Sequence, residues 1–403
     1  MERERYINVV DRSGHAAYWH VKRPYFGTAS RHTYSRFRKT SFFGSLDGLR
    51  AISIAGVIWI HSWADTPYYA QLEAMPVLRH GSFGVHIFFA ISGFLITTLL
   101  LRERERFGQI SIRDFYIRRI LRIWPLYYAT LGLYIVLVLL LEPGSRSRGN
   151  FLHYLPSFLT YTYTWFISPK WPWGHFHLAW TLATEEQFYA FWPVVLRVFR
   201  AAWSSVVIVT LIALQIATSY GWTDRILSPD WLPTRIVLNV SIAICLGVLL
   251  AQGLHSERYF RWWYLVFGQK WSAPAALVAL AICLFPERVP LLPAFVAAMA
   301  LVGTCVIRED NGLAFMLRQR PIAYIGVLSY GMYLFNSLSI HLVQSALGSV
   351  FTPHPLLVFP LAFGLAMGAA YVSYRYFESR FLELKIRFSP LRSTTSAVRL
   401  SEF

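Results

Sequence analysis

Leu46-Asp-Gly-Leu-Arg50-Ala-Ile-Ser-Ile-Ala-Gly-Val-Ile-Trp-Ile-His61 is an otherwise apolar run, long enough with its flanks to cross a bilayer, with an arginine near one end and a histidine at the other. Ionisable side chains at membrane depth are expensive, so one found there marks a functional site by default. Eleven residues at 3.6 per turn make close to three turns. A helix here therefore puts Arg50 and His61 on one face, about 16 Å apart along the axis. An arginine at the membrane edge and a histidine near mid-bilayer on one stripe read as a path from the interface to a buried reaction centre. The plain alternative is a histidine hydrogen-bonded to a neighbouring helix.

The rest of the chain shares this character. Of 403 residues, 55% are hydrophobic, 17% aromatic and only 15% charged, whereas soluble proteins are nearer a quarter charged. The composition predicts an all-α, polytopic integral membrane protein. Ten stretches are apolar enough to span, roughly 47–64, 83–101, 121–141, 178–196, 202–220, 235–253, 272–286, 291–307, 322–347 and 356–377. The seventh and eighth are short and are separated by Pro286-Glu-Arg-Val-Pro290. An even number places both termini on one side. Of the 38 Lys and Arg, 31 fall on the side shared with the N-terminus, so the positive-inside rule predicts cytoplasmic termini in the plasma (inner) membrane.

The formal charge of +17 does not signal nucleic acid, because the basic residues cluster in short segments between apolar runs. Cys245, Cys283 and Cys305 lie in apolar runs without metal-ligand spacing and predict no disulfide framework. The first forty-odd residues hold no apolar signal-peptide core, so no cleavable signal is expected. Their basic residues, interleaved with Tyr, Trp and Phe, suit the anionic inner leaflet and make membrane lipids partners. The longest outer loop, about 142–177, carries Trp165, Trp171 and Trp173 and suits the outer interface.

Three further stretches carry chemistry. The loop after the second span reads Gly108-Gln-Ile-Ser-Ile-Arg-Asp-Phe-Tyr-Ile-Arg118-Arg119-Ile-Leu-Arg122-Ile-Trp-Pro125. On a helix Arg118, Arg119 and Arg122 crowd one side, and like charges repel there unless an anion bridges them. The guanidinium fork suits phosphate, so an anionic ligand on the cytoplasmic side competes with simple topological anchoring. The fourth span holds Trp180-Thr-Leu-Ala-Thr-Glu185-Glu186-Gln-Phe-Tyr189. Adjacent carboxylates point about 100° apart, so at most one shares a cluster with His61. Glu185 could orient a histidine, hold an arginine or accept a hydroxyl proton. His175 and His177 form a His-x-His pair, but a zinc site needs further ligands at suitable spacing, so no metal is expected. Ser329, Tyr330 and Asn336 put polar groups in the ninth span, where they line a cavity or hydrogen-bond between helices.

With these motifs the chain resembles the membrane acyltransferase-3 family, integral-membrane O-acyltransferases that modify bacterial cell-surface glycans. The matching stretches are Leu46–Arg50 with His61, Gly84-Val-His-Ile-Phe-Phe-Ala-Ile-Ser-Gly-Phe-Leu-Ile96, Arg118–Pro125, Trp180–Tyr189 and Ile325-Gly-Val-Leu-Ser-Tyr-Gly-Met-Tyr-Leu334. Their order and spacing match over about residues 45–385. The division that follows is a basic N-terminal segment 1–44, a transmembrane domain 45–385 and a cytoplasmic tail 386–403. Members often carry a histidine shortly after the late Tyr-Leu pair. Here Phe335-Asn336 stand there, and an asparagine can hydrogen-bond but cannot act as a base near neutral pH. Some members add an extracytoplasmic hydrolase-like domain, which is expected to be absent here.

The resemblance implies transfer of an acyl group, most often acetyl, from cytoplasmic acyl-CoA to a hydroxyl of a surface or lipid-linked glycan. Acyl-CoA is then a co-substrate, with no permanently bound cofactor. Arg50, Arg118, Arg119 and Arg122 are the candidate donor-binding residues, and His61 and Glu185 the candidate catalytic ones. A sugar hydroxyl is a weak nucleophile, and histidine is the usual base for one. His61 could equally take the acyl group covalently. A transporter or flippase using His61 and Glu185 as a proton relay is the competing reading. It predicts broken helices in matching halves, and no such halves are visible.

Overall fold

The computed structural model describes residues 8–10, 16–18, 26–64, 66–166, 175–223, 228, 231–349 and 351–388. Trp171 and Trp173 lie outside these residues. Two compact units are distinguished, residues 1–40 and 41–403. In the first, strands β1 (Asn8–Val10) and β2 (Ala16–Tyr18) pair antiparallel and precede helix α1 (Phe26–Lys39). Apart from this pair of three-residue strands, too short to leave a periodicity in the sequence, the described residues follow the all-helical expectation.

The second unit is helical among its described residues. Numbering only helices of nine residues or more, it holds α2 (Gly44–Trp63), α3 (Gly84–Phe107), α4 (Ile112–Leu141), α5 (Arg146–Leu159), α6 (Ala179–Val198), α7 (Ala201–Ser219), α8 (Ile242–His255), α9 (Glu257–Phe267), α10 (Ser272–Leu284), α11 (Leu291–Ile307), α12 (Arg320–Gly348), α13 (Pro355–Ser373) and α14 (Ser379–Arg387). Short pieces fill several turns, among them Leu232–Leu238 before α8 and a π-turn, Tyr374–Glu378, between α13 and α14. A helix underlies each of the ten apolar stretches, but among the described residues only four are long and apolar enough to cross a membrane alone. The number rises to seven if each of three bent pairs is one span. Length limits some of them: α10 has 13 residues, about 20 Å at 1.5 Å per residue, against a hydrocarbon core of about 30 Å. α2, α6 and α12, with 20, 20 and 29 residues, are long enough and fall short on composition instead. The apolar side chains Leu140, Val206, Val209, Ile282 and Leu361 are exposed, as expected of helix faces turned to lipid.

Local sequence sets the turns. Gly108 ends α3 at φ +75°, a left-handed cap that favours glycine. Ser111 then caps α4, accepting from the Asp114 backbone N–H at 3.3 Å and donating to the Asp114 carboxylate at 2.8 Å.

Small residues set the crossings, because helices in lipid gain most from close backbone approach. α3 packs along α8, and α2 along α12. A methyl group on Gly93 would be driven into the Ile244 carbonyl, and one on Gly247 into the Ala90 carbonyl. Gly326 of α12 meets the Asp47 carbonyl of α2 in the same way. Backbone cannot yield as a flexible side chain can, so overpacking here costs about 1–3 kcal/mol or more. Gly93→Ala is therefore expected to lower the melting temperature of the purified protein. Gly132→Ala, where no atom lies within 4 Å, is expected to be neutral or to stabilise by about 0.5–1 kcal/mol. Equal melting temperatures for the two variants would contradict this packing.

α6 ties the bundle together by polar bonds. Thr181 donates to the Tyr333 hydroxyl of α12 at 2.8 Å, and Thr184 to Asn239 at 2.9 Å. Gln187 donates to the Tyr161 carbonyl at 2.7 Å, and the Trp192 indole to Thr97 of α3 at 2.8 Å.

Candidate active site

His61 sits in the last turn of α2, nearer that end than the mid-span position read from the sequence. Its Nδ1 lies 2.8 Å from Asn336 Oδ1 on α12. Asn336 is fully buried, and its Nδ2 donates to the Tyr333 carbonyl one turn back. That bond fixes the amide with its oxygen toward the imidazole. Nδ1 then carries a proton, so in the neutral imidazole the lone pair is on Nε2. Asn336 thus selects the Nδ1–H tautomer of the neutral His61 imidazole. His61 itself is half-buried.

His175 and His177 diverge. His175 Nε2 pairs with Glu142 Oε1 at 2.7 Å. His177, in the turn ahead of α6, lies within electrostatic reach of His61, and burial together with that neighbour pushes its pKa down to about 3. It joins the site as a neutral imidazole. Among the described residues no three metal-ligating side chains come together.

The arginines gather toward the other end of α2. Arg50 pairs with Asp47 at 2.9 Å and lies within electrostatic reach of Arg122 and Glu185. Arg119 stacks on Tyr189 of α6, its guanidinium 5.3 Å from the ring centroid, and interacts with Arg122, Glu185 and Glu186. Arg118 turns away from these two. It donates to Glu103 Oε2 of α3 and to the Phe388 carbonyl, each at 2.8 Å, while Glu103 Oε1 accepts from the Ser111 backbone N–H at 2.7 Å. The expected three-arginine face therefore divides: Arg119 faces α6, Arg122 lies within electrostatic reach of Arg50, Arg119 and Glu378, and Arg118 braces the α3–α4 turn.

Glu185 accepts from Ser92 of α3 at 2.7 Å and faces Arg119, Arg50 and Tyr189. Its hydrogen-bond partner is Ser92 and not His61, and the arginines are within electrostatic reach. Glu186 points elsewhere, accepting from the Trp124 indole of α4 at 3.1 Å, as the 100° offset requires.

Ser329, Tyr330 and Asn336, read from the sequence as lining a cavity or hydrogen-bonding between helices, all make hydrogen bonds. Ser329 donates to the Gly326 carbonyl of its own helix at 2.8 Å, and Tyr330 to the Ile123 carbonyl of α4 at 2.7 Å. An apolar groove of about 520 Å³ between α4, α12 and α13 is lined by Leu126, Thr130, Phe335 and Leu365 among others, and by none of these three. They hydrogen-bond within and between helices. The sequence reading passed over Ser92, Tyr189 and Tyr333, although each lies inside a motif it quoted. It also passed over Lys385, which no motif marks.

The acyltransferase-3 family, described as an acyltransferase domain, matches residues 43–375. Among curated proteins, YrhL of Bacillus subtilis, provisionally named a peptidoglycan O-acetyltransferase, is 28% identical over 328 residues, 75% of this chain and 49% of YrhL. OatA of Listeria monocytogenes, named a peptidoglycan O-acetyltransferase, is 27% identical over 318 residues, 72% of this chain and 48% of OatA. A Staphylococcus aureus protein provisionally named an O-acetyltransferase is 34% identical over 176 residues, 40% of this chain and 26% of that protein. The chain spans about half the length of YrhL and OatA. No solved structure matches it. The matched region holds His61, Asn336, Arg50, Arg119, Arg122 and Glu185 together, and the chain belongs to the acyltransferase-3 family.

Proposed function

We propose that the chain is a membrane O-acyltransferase that moves an acyl group, in the simplest case acetyl, from cytoplasmic acyl-CoA to a hydroxyl of a surface or lipid-linked glycan. The names of YrhL and OatA make peptidoglycan the first acceptor to test. The observation that carries the reading is the polarity of α2. Near one end Arg50 joins Arg119 and Arg122, and toward the other the oriented imidazole of His61 presents Nε2. The separation of about 16 Å suits a donor whose phosphates are held at the arginines while its pantetheine arm extends along the helix. Nε2 of His61 takes the proton of the sugar hydroxyl, the oxygen attacks the thioester carbonyl, and the C–S bond breaks. The departing thiolate then takes the proton back. A proton relay from His61 to Glu185 finds no support, because Glu185 bonds to Ser92 and faces the arginines.

The donor site is tested by Arg119→Lys and Arg122→Lys. Each keeps the charge, and with it the topology, but loses the planar fork. Weaker acyl-CoA binding at normal expression is expected, and wild-type affinity in both variants would return the pair to topological anchors. Orientation is tested by cysteine labelling of intact cells. A cysteine at position 108 is expected to be protected and one at position 152 labelled from outside. The reverse pattern would overturn the cytoplasmic placement of the arginines.

A further inference from the structure

α14 lies beyond the residues matched by the family, and its position assigns it a task. After the π-turn it folds back to pack on α4, pinned where Arg118 donates to the Phe388 carbonyl at 2.8 Å. Arg118 is itself held by Glu103, so the docking is braced from α3. Within α14 the neighbours Glu383, Leu384, Ile386 and Arg387 are exposed, but Lys385 is half-buried. It lies within electrostatic reach of Arg122, Arg119 and Arg118.

A lysine on a surface helix ordinarily extends its ammonium into water. Lys385 is instead half-buried within electrostatic reach of guanidinium groups that repel it. Neither Lys385 nor Arg122 makes a hydrogen bond or ion pair with any described residue. Of the nearby carboxylates, Glu103 is engaged by Arg118 and the Ser111 N–H, and Glu185 by Ser92. Glu378, within reach of Arg122, accepts from Ser373 at 3.1 Å. An anion between α4 and α14 would turn the repulsion into attraction, and an ammonium is a usual point-charge partner for phosphate.

We propose that α14 is the outer wall of the donor site and that Lys385 holds a terminal phosphate ester, the 3′-phosphate of CoA. The proposal rests on the acyl-CoA reading above. With the thioester directed along α2 toward His61, the adenosine end of the donor is its far end, and Lys385 is the half-buried cation of α14, where Arg380 and Arg387 are exposed.

The test uses the full chain in nanodiscs of phosphatidylcholine, titrated with CoA and with 3′-dephospho-CoA. A hydrogen bond to a charged group is worth about 1.5–3 kcal/mol, so Lys385→Met is expected to weaken CoA binding by roughly 10–100-fold. Dephospho-CoA should bind wild type and Lys385→Met equally, and Lys385→Arg should recover most of the CoA affinity. Unchanged CoA binding in Lys385→Met, or equal weakening of both ligands, would overturn the assignment of the 3′-phosphate. Loss of CoA from wild type but not from Lys385→Met in phosphatidylglycerol nanodiscs would make the anion a lipid phosphate and also overturn it. Absence of CoA binding by wild type would instead remove the acyl-CoA reading itself.

Discussion

His61→Ala and His61→Gln are each expected to cut acyl transfer by at least about 10²-fold while leaving acyl-CoA binding intact. Glutamine can keep a hydrogen bond to Asn336 but cannot exchange a proton near pH 7, so it separates a structural histidine from a catalytic one. Asn336→Leu removes the acceptor that selects the Nδ1–H tautomer, and a smaller loss, about 10-fold, is expected because the unanchored imidazole still reaches the productive form part of the time. Release of CoA in the presence of acceptor measures turnover, and titration with CoA measures binding. A Gln variant with near wild-type turnover would reduce His61 to a packing partner of α12.

The second large effect falls on stability. Glu185→Gln keeps the shape of the side chain and removes the carboxylate facing Arg119 and Arg50. Breaking a buried charge cluster costs about 3–5 kcal/mol, and because Glu185 is only half-buried the lower part of that range applies. Arg50 retains Asp47, so the loss is borne chiefly by Arg119. The melting temperature should fall by several degrees, and acyl-CoA should restore more of it than it adds to wild type, since its phosphates supply the missing negative charge. A variant that melts with wild type, or gains no more from the donor, would show that Glu185 does not hold the arginines. This outcome would reopen a catalytic role for it.

The helices were legible because apolar length is local. Each of the ten runs coincides with a helix, and Pro125 and Pro193 lie within α4 and α6 without ending them. The number of spans was less legible, because α8 and α10 are too short to cross alone and count as spans only together with the helices bent against them. Periodicity gives the face of a residue but not its partner. It placed Arg50 and His61 on one stripe and separated Glu185 from Glu186, but it could not choose between His61 and the arginines for Glu185. The Asn336 bond to His61 spans 275 residues of sequence, and no spacing rule reaches that far. The capture of Arg118 was hidden for a related reason. Its partners, Glu103 and the Phe388 carbonyl, come from α3 and the end of α14, and only the docking of α14 brings the second of them near. Lys385 was passed over because a single lysine in an amphipathic helix is indistinguishable by pattern from any solvated one.

The most direct test compares, by mass spectrometry, the cell-envelope glycans of a parent strain, a deletion strain, and deletion strains carrying either wild type or His61→Gln. A membrane O-acyltransferase with His61 at its reaction centre requires an acyl increment on a sugar in the parent, its absence from the deletion, its return with wild type and its continued absence with His61→Gln. Identical glycans in parent and deletion, or full return of the increment with His61→Gln, would contradict it.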